Sequence, residues 1–189
     1  MKLASHNSLT YLPVKKWWMK IFRFVAKCQR KSIYQQYKLG IRMFDIRVAF
    51  DYHGDPYICH GLIDYKGSIN EILKYMNTLK DVRVRLILEK WDNHCSAYLF
   101  SRFCKECETL YSNIKFFGGV YKKTWNLVYN FKYSPQYDDK YASNNTKEKT
   151  SGFILDDVWP YIYARLNNKK NIEKGTDKPW LFIDFVDIR

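Results

Sequence analysis

The segment "LGIRMFDIRVAF", residues 39–50, reads as a buried strand that contains two charged side chains. Asp45 and Arg47 are two positions apart, so an extended backbone directs both side chains to the same face. A strand within an apolar core needs neither charge. The segment therefore predicts a strand that delivers charged groups to a functional site.

Short apolar runs alternate with helical patterns on either side of this segment. The predicted strands are Lys2–Ser5, Ile41–Phe50, Tyr57–Cys59, Val82–Trp91, Asn126–Phe131 and Trp180–Ile188. The predicted helices are Lys15–Gln29, Ser32–Lys38, Ser68–Leu79, Ser96–Leu110 and Asp156–Leu166, and residues 134–152 read as a long polar loop. Such alternation predicts an α/β fold with parallel strands. Charged and histidine side chains at several strand ends favour a TIM (β/α)8 barrel, which could be incomplete at this length.

The 189 residues fit a single domain, residues 1–189, with 47% apolar side chains to fill its core. A formal net charge of +13 predicts polyanionic partners, which include nucleic acid, an anionic membrane and a phosphorylated substrate. No signature of a nucleic-acid-binding motif is present, so we expect no nucleic-acid partner. The absence of an apolar membrane span or leader predicts a cytoplasmic chain, which we expect to be monomeric.

Five cysteines without regular spacing argue against a disulfide framework. Cys104 and Cys107 form a CxxC pair downstream of His94 and Cys95, which raises the possibility of zinc. The surrounding segment reads as a helix and no second ligand pair follows, so we expect no metal and no cofactor.

Two histidines follow predicted strands, His6 in "ASHNSLTYL" and His60 in "YICHGL". If these strands are neighbours in a barrel, both histidines and the Asp45–Arg47 pair converge on one rim. One histidine can accept a proton while the other donates one, and an arginine between them can hold a phosphate. This combination predicts in-line cleavage of a phosphodiester.

The segments "SHNSLTYL", "QYKLGIRMFDIRV", "CHG" and "LILEKWDNH" resemble the X domain of phosphatidylinositol-specific phospholipase C in order and approximate spacing. The resemblance is strong over residues 3–93 and weaker beyond. It implies a distorted TIM barrel that cleaves phosphatidylinositol, or a glycosylated form of it, to diacylglycerol and inositol 1,2-cyclic phosphate.

The resemblance also implies roles for individual residues. His6 is the general base, His60 is the general acid and Asp45 orients the reacting groups. Arg47 matches the bacterial, metal-independent branch, in which arginine replaces the calcium ion. Asn7 matches the calcium-dependent branch instead.

Three further residues complete the implied site. Lys90 resembles a lysine that contacts inositol or phosphate, and Asp92 has the same parity on its strand. We group both with Asn7 as predicted substrate-binding residues. Asp184 in "LFIDFVD" is a possible partner of the base histidine if the last strand closes the barrel.

The segment "VKKWWMKIFRFVAKCQRK", residues 14–31, interleaves aromatic and aliphatic side chains with lysine and arginine. A helix of this composition is typical of the lipid interface. We expect Trp17 and Trp18 to contact an anionic membrane, which predicts a peripherally membrane-associated enzyme.

Two alternative functions remain open from the sequence. One is a catalytically weak relative that binds inositol lipids. The other is a glycerophosphodiesterase or phospholipase D type barrel, which also uses two histidines but needs carboxylates around a metal. Arg47 argues against that second alternative.

Overall fold

The computed structural model of the chain describes residues 2–91, 95–132, 142–144, 159–175 and 180–188. The strands are β1 (Lys2–Ser5), β2 (Met43–Phe50), β3 (Pro56–His60), β4 (Ile63–Asp64), β5 (Arg83–Leu88), β6 (Lys115–Tyr121), β7 (Ala142–Asn144) and β8 (Trp180–Ile183). The helices are α1 (Met19–Ala26), α2 (Ile33–Lys38), α3 (Ile69–Met76), α4 (Cys95–Leu110) and α5 (Pro160–Lys174).

Six of the strands form a parallel path in the order β6, β5, β2, β1, β8 and β7. The α/β architecture with parallel strands is therefore as predicted. Within the described ranges β6 and β7 are the two ends of this path, so the sheet is open there. All carboxyl ends of its strands lie along one edge, where side chains from strands far apart in sequence can meet.

Helices α3 and α4 pack an apolar face against the sheet. In α3, Ile69, Leu73 and Met76 recur at helical spacing and are fully buried, and the Ser68 hydroxyl accepts a hydrogen bond from the Glu71 amide to cap the helix. In α4, Phe100, Phe103, Cys104 and Cys107 form the buried face. The two cysteines of the CxxC pair are thus free core thiols.

Strand β3 runs antiparallel to β2, whereas the strands of a TIM barrel are parallel. It pairs antiparallel with the end of β2, with Val48 opposite Ile58 and Phe50 opposite Pro56, and forms a hairpin with β4. The condition on which the convergence of both histidines was expected, that their strands are parallel neighbours in a barrel, is therefore not met by β3. The tight connection "DYHGD" at residues 51–55 explains the reversal, because parallel neighbours need a longer crossover. The hairpin brings His60 back to about the level of Arg47 in β2.

Strand β6 was not predicted, because Gly118 and Gly119 in "KFFGGVY" read as a turn. Both adopt positive φ, and β6 changes register against β5 at this point. A Cβ atom on Gly118 would approach the Leu86 carbonyl oxygen at 2.5 Å, so glycine is required at this bulge.

The prediction of a strand at Asn126–Phe131 was wrong. This segment is irregular and follows β6 closely, and the amides of Val128 and Tyr129 both donate to the Gly119 carbonyl. The predicted loop at residues 134–152 lies outside the described residues except for β7. Of the predicted helix Asp156–Leu166, the structure describes only the part from residue 159 onward.

Among the described residues, no helix combines the length and the apolar character needed to cross a bilayer.

Candidate active site

The pairing of β1 with β8 brings His6 next to Asp184. These strands are parallel and in register, with Ser5 opposite Ile183, so the next residue of each chain segment lies at the same strand end. Nδ1 of His6 lies 2.8 Å from Oδ1 of Asp184, and both side chains are buried. An ionised carboxylate can only accept, which assigns the proton to Nδ1 and leaves the lone pair on Nε2 facing the site.

Asp45 is fully buried and anchors the centre of the site. It accepts hydrogen bonds from Nε of Arg85 at 2.8 Å, Nε of Arg47 at 3.3 Å and the Asn7 amide at 3.1 Å. Burial alone would raise the pKa of Asp45, but the charges of Arg85 and Arg47 outweigh it and hold the pKa well below its usual range. Asp45 is therefore ionised and held in a fixed position.

The guanidinium group of Arg47 reaches three acidic or basic partners at once. Besides Asp45, Nη1 lies 3.2 Å from Oε2 of Glu89 and Nη2 lies 2.9 Å from Nε2 of His6. The rigid guanidinium plane places these donors in a fixed fan. Arg47 therefore presents its positive charge directly beside the unprotonated Nε2 of His6.

Glu89 completes the ionic cluster, although the sequence analysis overlooked it. Its Oε1 accepts from Nζ of Lys122 at 2.5 Å and from the Gly61 amide at 2.6 Å. Burial would raise the pKa of Glu89, but Arg47, His60 and Lys122 together lower it. The carboxylate is charged, and it connects Arg47 to the residue that follows His60.

His60 is half-buried and held from behind by the end of α1. Its Nδ1 lies 2.9 Å from the Ala26 carbonyl oxygen, which can only accept, so Nδ1 carries the proton. Burial and then the charge of Arg47 lower the pKa of His60 to about 3. Without bound substrate the His60 side chain is thus neutral, with the Nε2 lone pair directed into the site.

Asn7 stands between the two histidines. It adopts the left-handed conformation, with φ of 44°, at the turn after β1. Its Nδ2 lies 3.2 Å from Nε2 of His6 and 3.1 Å from Nε2 of His60. The two imidazole rings are edge to face with centroids 6.3 Å apart. Both Nε2 atoms therefore face one point beside Arg47, where Nδ2 of Asn7 lies between them.

The remaining predicted site residues lie elsewhere. Lys90 follows Glu89 just past the end of β5, and its Nζ lies 2.6 Å from Oδ1 of Asp64, away from the histidines. Asp92 lies outside the described residues. Trp17 and Trp18 precede α1 on the surface and are 76% and 40% exposed.

Strand parity was the signal that could have identified the overlooked residues. Asp45 pairs with Arg85 in the sheet, and Arg47 pairs with Ile87, so Glu89 follows on the same face. Arg85 and Glu89 are charges in a buried strand, as are Asp45 and Arg47. Lys122 had no such signal, because it follows β6, a strand that the sequence did not predict.

The two carboxylates that contact Arg47 are already paired with basic side chains. Asp45 binds Arg85 and Arg47, and Glu89 binds Arg47 and Lys122. A hard cation between them would have to displace Arg47, so the guanidinium group occupies the position of positive charge.

No protein-family model and no curated protein sequence matches the chain. Among solved structures, the chain is similar to phosphatidylinositol-specific phospholipase C from Listeria monocytogenes. The TM-score is 0.55 and the sequence identity is 17%, over 97% of this chain and 87% of that one. The chain therefore shares the fold of that structure, while its own site must carry any argument about chemistry.

Proposed function

We propose that the protein is a phosphoric diester hydrolase of the phosphatidylinositol phospholipase C type. It cleaves phosphatidylinositol, or a glycosylated form, to diacylglycerol and inositol 1,2-cyclic phosphate. The observation that carries this proposal is the convergence of both Nε2 atoms on one point beside the Arg47 guanidinium group. The similarity to the Listeria monocytogenes structure supports the further proposal that the open sheet is part of a distorted barrel.

His6 acts as the general base in this proposal. Its Nε2 lone pair removes the proton from the inositol 2-hydroxyl, which attacks the adjacent phosphorus. Asp184 keeps the opposite proton on Nδ1 and stabilises the imidazolium ion that forms. When substrate binds, Arg47 exchanges its contact with His6 for the phosphate oxygens, whose negative charge spreads in the transition state.

His60 acts as the general acid and protonates the oxygen of the departing diacylglycerol. It must first acquire a proton on Nε2, because the free site holds it neutral. The bound phosphate diester supplies a negative charge next to Arg47, whose positive charge otherwise disfavours the imidazolium ion. Substrate binding itself therefore favours the acid form of His60.

Helix α1 provides the contact with the lipid surface in this proposal. It is shorter than predicted, and Trp17 and Trp18 lie just before it. Its outer face exposes Ile21, Phe22 and Phe24 among basic residues, which is typical of an interfacial helix. The carbonyl group of its last residue, Ala26, holds His60. The membrane-facing helix and the acid histidine are thus parts of one local structure.

Cleavage of phosphatidylinositol vesicles in the presence of EDTA tests this proposal. We expect diacylglycerol and inositol 1,2-cyclic phosphate to form at the same rate with and without chelator, because Arg47 supplies the positive charge. Rates lost on chelation and restored by calcium would refute the metal-independent mechanism. Binding of inositol lipid without any cleavage would instead identify a lipid-binding relative.

A further inference from the structure

A buried thiol lies against the proposed base and its carboxylate partner. One ring nitrogen of His6, Sγ of Cys28 and a carboxylate oxygen of Asp184 all lie within 4.8 Å of one another. Nδ1 is the His6 nitrogen that faces Asp184. All three side chains are at least nine-tenths buried. Oδ1 of Asp184 contacts His6, while Oδ2 is buried and has no described hydrogen-bond partner other than the neighbouring Cys28 thiol. The thiol and this carboxylate oxygen therefore face each other beside the His6 ring.

The three donor groups have the chemistry of a zinc site. Thiolate, imidazole and carboxylate are the ligands that Zn²⁺ takes in proteins, whereas Ca²⁺ and Mg²⁺ prefer oxygen ligands only. Zinc bonds of about 2.0–2.3 Å place tetrahedral ligand atoms roughly 3.2–3.8 Å apart, so ligand atoms that lie as much as 4.8 Å apart must shift by about 1 Å. His60 contacts Sγ of Cys28 at 3.9 Å and is half-buried, so the thiol lies one side chain below the surface.

We propose that His6, Cys28 and Asp184 form a zinc-binding site whose occupation switches the enzyme off. This inference rests on the proposed function only for its inhibitory consequence. Zinc binding releases the thiol proton of Cys28 to solvent and bonds Nδ1 of His6 in place of the Asp184 hydrogen bond. The imidazole proton then lies on Nε2, because a neutral ring with a metal on one nitrogen carries its proton on the other. Nε2 can no longer accept a proton from the inositol hydroxyl.

The site is distinct from the cation position that Arg47 fills. Asp45 and Glu89 belong to the ionic cluster around that guanidinium group, and neither belongs to the zinc cluster. Zinc inhibition and metal-independent turnover are therefore compatible. Among the described residues, His6, Cys28 and Asp184 are the group of metal-ligating side chains that lie close enough together to hold an ion. The CxxC pair of α4 does not belong to this group.

Direct metal binding tests the site without reference to turnover. We expect the full chain to bind one Co²⁺ with a thiolate charge-transfer absorption, and Zn²⁺ to displace it. Cys28→Ser should remove this absorption and weaken zinc binding by on the order of 100-fold or more, since a ligand is lost. Cys28→Ala serves as a second variant, and circular dichroism checks that both fold. Cys95→Ser, which alters an exposed thiol, is the matched control and should bind as the unaltered chain does.

Vesicle assays then separate the two proposals. Zinc should inhibit cleavage by the unaltered chain and by Cys95→Ser, but not by Cys28→Ser. Equal zinc binding or equal inhibition in folded Cys28→Ser would overturn the zinc site, as would the absence of a Cys28-dependent absorption. A Cys28-dependent absorption in a chain that cleaves no lipid would support the zinc site and refute the proposed function.

Discussion

Glu89 joins Arg47 to the turn that carries His60. Oε2 accepts from Nη1 of Arg47 at 3.2 Å, while Oε1 accepts from the Gly61 amide at 2.6 Å. One carboxylate therefore fixes the Arg47 guanidinium group relative to the backbone next to His60, the two groups to which we assign phosphate binding and the acid role. Its own charge is balanced by Arg47 and Lys122, so the cluster depends on ionisation of Glu89.

Stability should fall in acid because of Glu89. Its pKa is lower in the folded chain than the unfolded value of about 4.3, so the charged form stabilises the fold. This contribution is fully present above that unfolded value and is lost as the pH falls through the folded pKa. We expect Glu89→Gln to lower the free energy of unfolding at pH 7 by about 3–5 kcal/mol, because it breaks a buried pair. Below pH 5, the free energy of unfolding of Glu89→Gln should depend less on pH than that of the unaltered chain.

Urea unfolding at pH 7 and at pH 4 measures this effect. Glu106→Gln is the control, because Glu106 is exposed and its ion pair with Arg102 is a surface contact. An acid dependence in Glu89→Gln equal to that of the unaltered chain would show that Glu89 does not stabilise the fold through its charge.

Arg47→Lys should lower turnover strongly although the charge is retained. A lysine ammonium cannot reach Asp45, Glu89 and the phosphate in the planar arrangement of a guanidinium group. We expect a loss of on the order of 100- to 1000-fold in kcat, measured on phosphatidylinositol vesicles in EDTA. Arg102→Lys, at an exposed position, should leave the rate unchanged. Turnover of Arg47→Lys within a few-fold of the unaltered chain would remove Arg47 from the chemistry.

The sequence was sufficient to place the charges of β2 but not those of β5. Asp45 and Arg47 interrupt an apolar run, and their shared parity predicted the face that they occupy. In "RVRLILEKW" the neighbouring residues Glu89 and Lys90 are both charged, and only the register with β2 decides which one faces the site. Register is a property of the assembled sheet. The resemblance of Lys90 to a family lysine could therefore not show which way the Lys90 side chain points.

The fold shows the same division between local and long-range information. Local spacing predicted β1, β2, β5, β8 and most helices. It failed at β3, whose direction depends on pairing with β2, and at β6, where two glycines allow close approach of Leu86 and Tyr129. The contact of His6 with Asp184 spans 178 positions and depends on β1 lying beside β8. A sequence pattern alone could name that aspartate only as a possible partner.

The two histidines should act as a unit. His6→Ala removes the base and His60→Ala removes the acid, so each should lower kcat by on the order of 10²- to 10⁴-fold. We expect the double variant to be little slower than the slower single variant, since neither proton transfer is useful without the other. Vesicle cleavage by the three folded variants measures this, with exposed His53→Ala as control. Losses that multiply would contradict paired acid and base roles.

Replacing Trp17 and Trp18 by alanine should separate lipid binding from chemistry. Trp17 is 76% exposed and Trp18 is 40% exposed, and neither contacts the histidine cluster by any described hydrogen bond or ring contact. We expect the double variant to bind anionic vesicles more weakly and to cleave vesicle lipid more slowly. Cleavage of a soluble, monomeric inositol phosphodiester should be nearly unchanged.

Salt and a matched substitution sharpen this test of the tryptophans. Vesicle binding by the unaltered chain should weaken as salt rises, because the charges of the nearby lysines and arginines are screened over about 10 Å at 0.1 M. Replacing exposed Tyr52, which lies in the β2–β3 connection, by alanine is the control for the loss of an aromatic surface group. Equal losses on soluble and vesicle substrates in the folded Trp17 and Trp18 double variant would place these side chains in support of the active site, and the interfacial role of this segment would then be wrong.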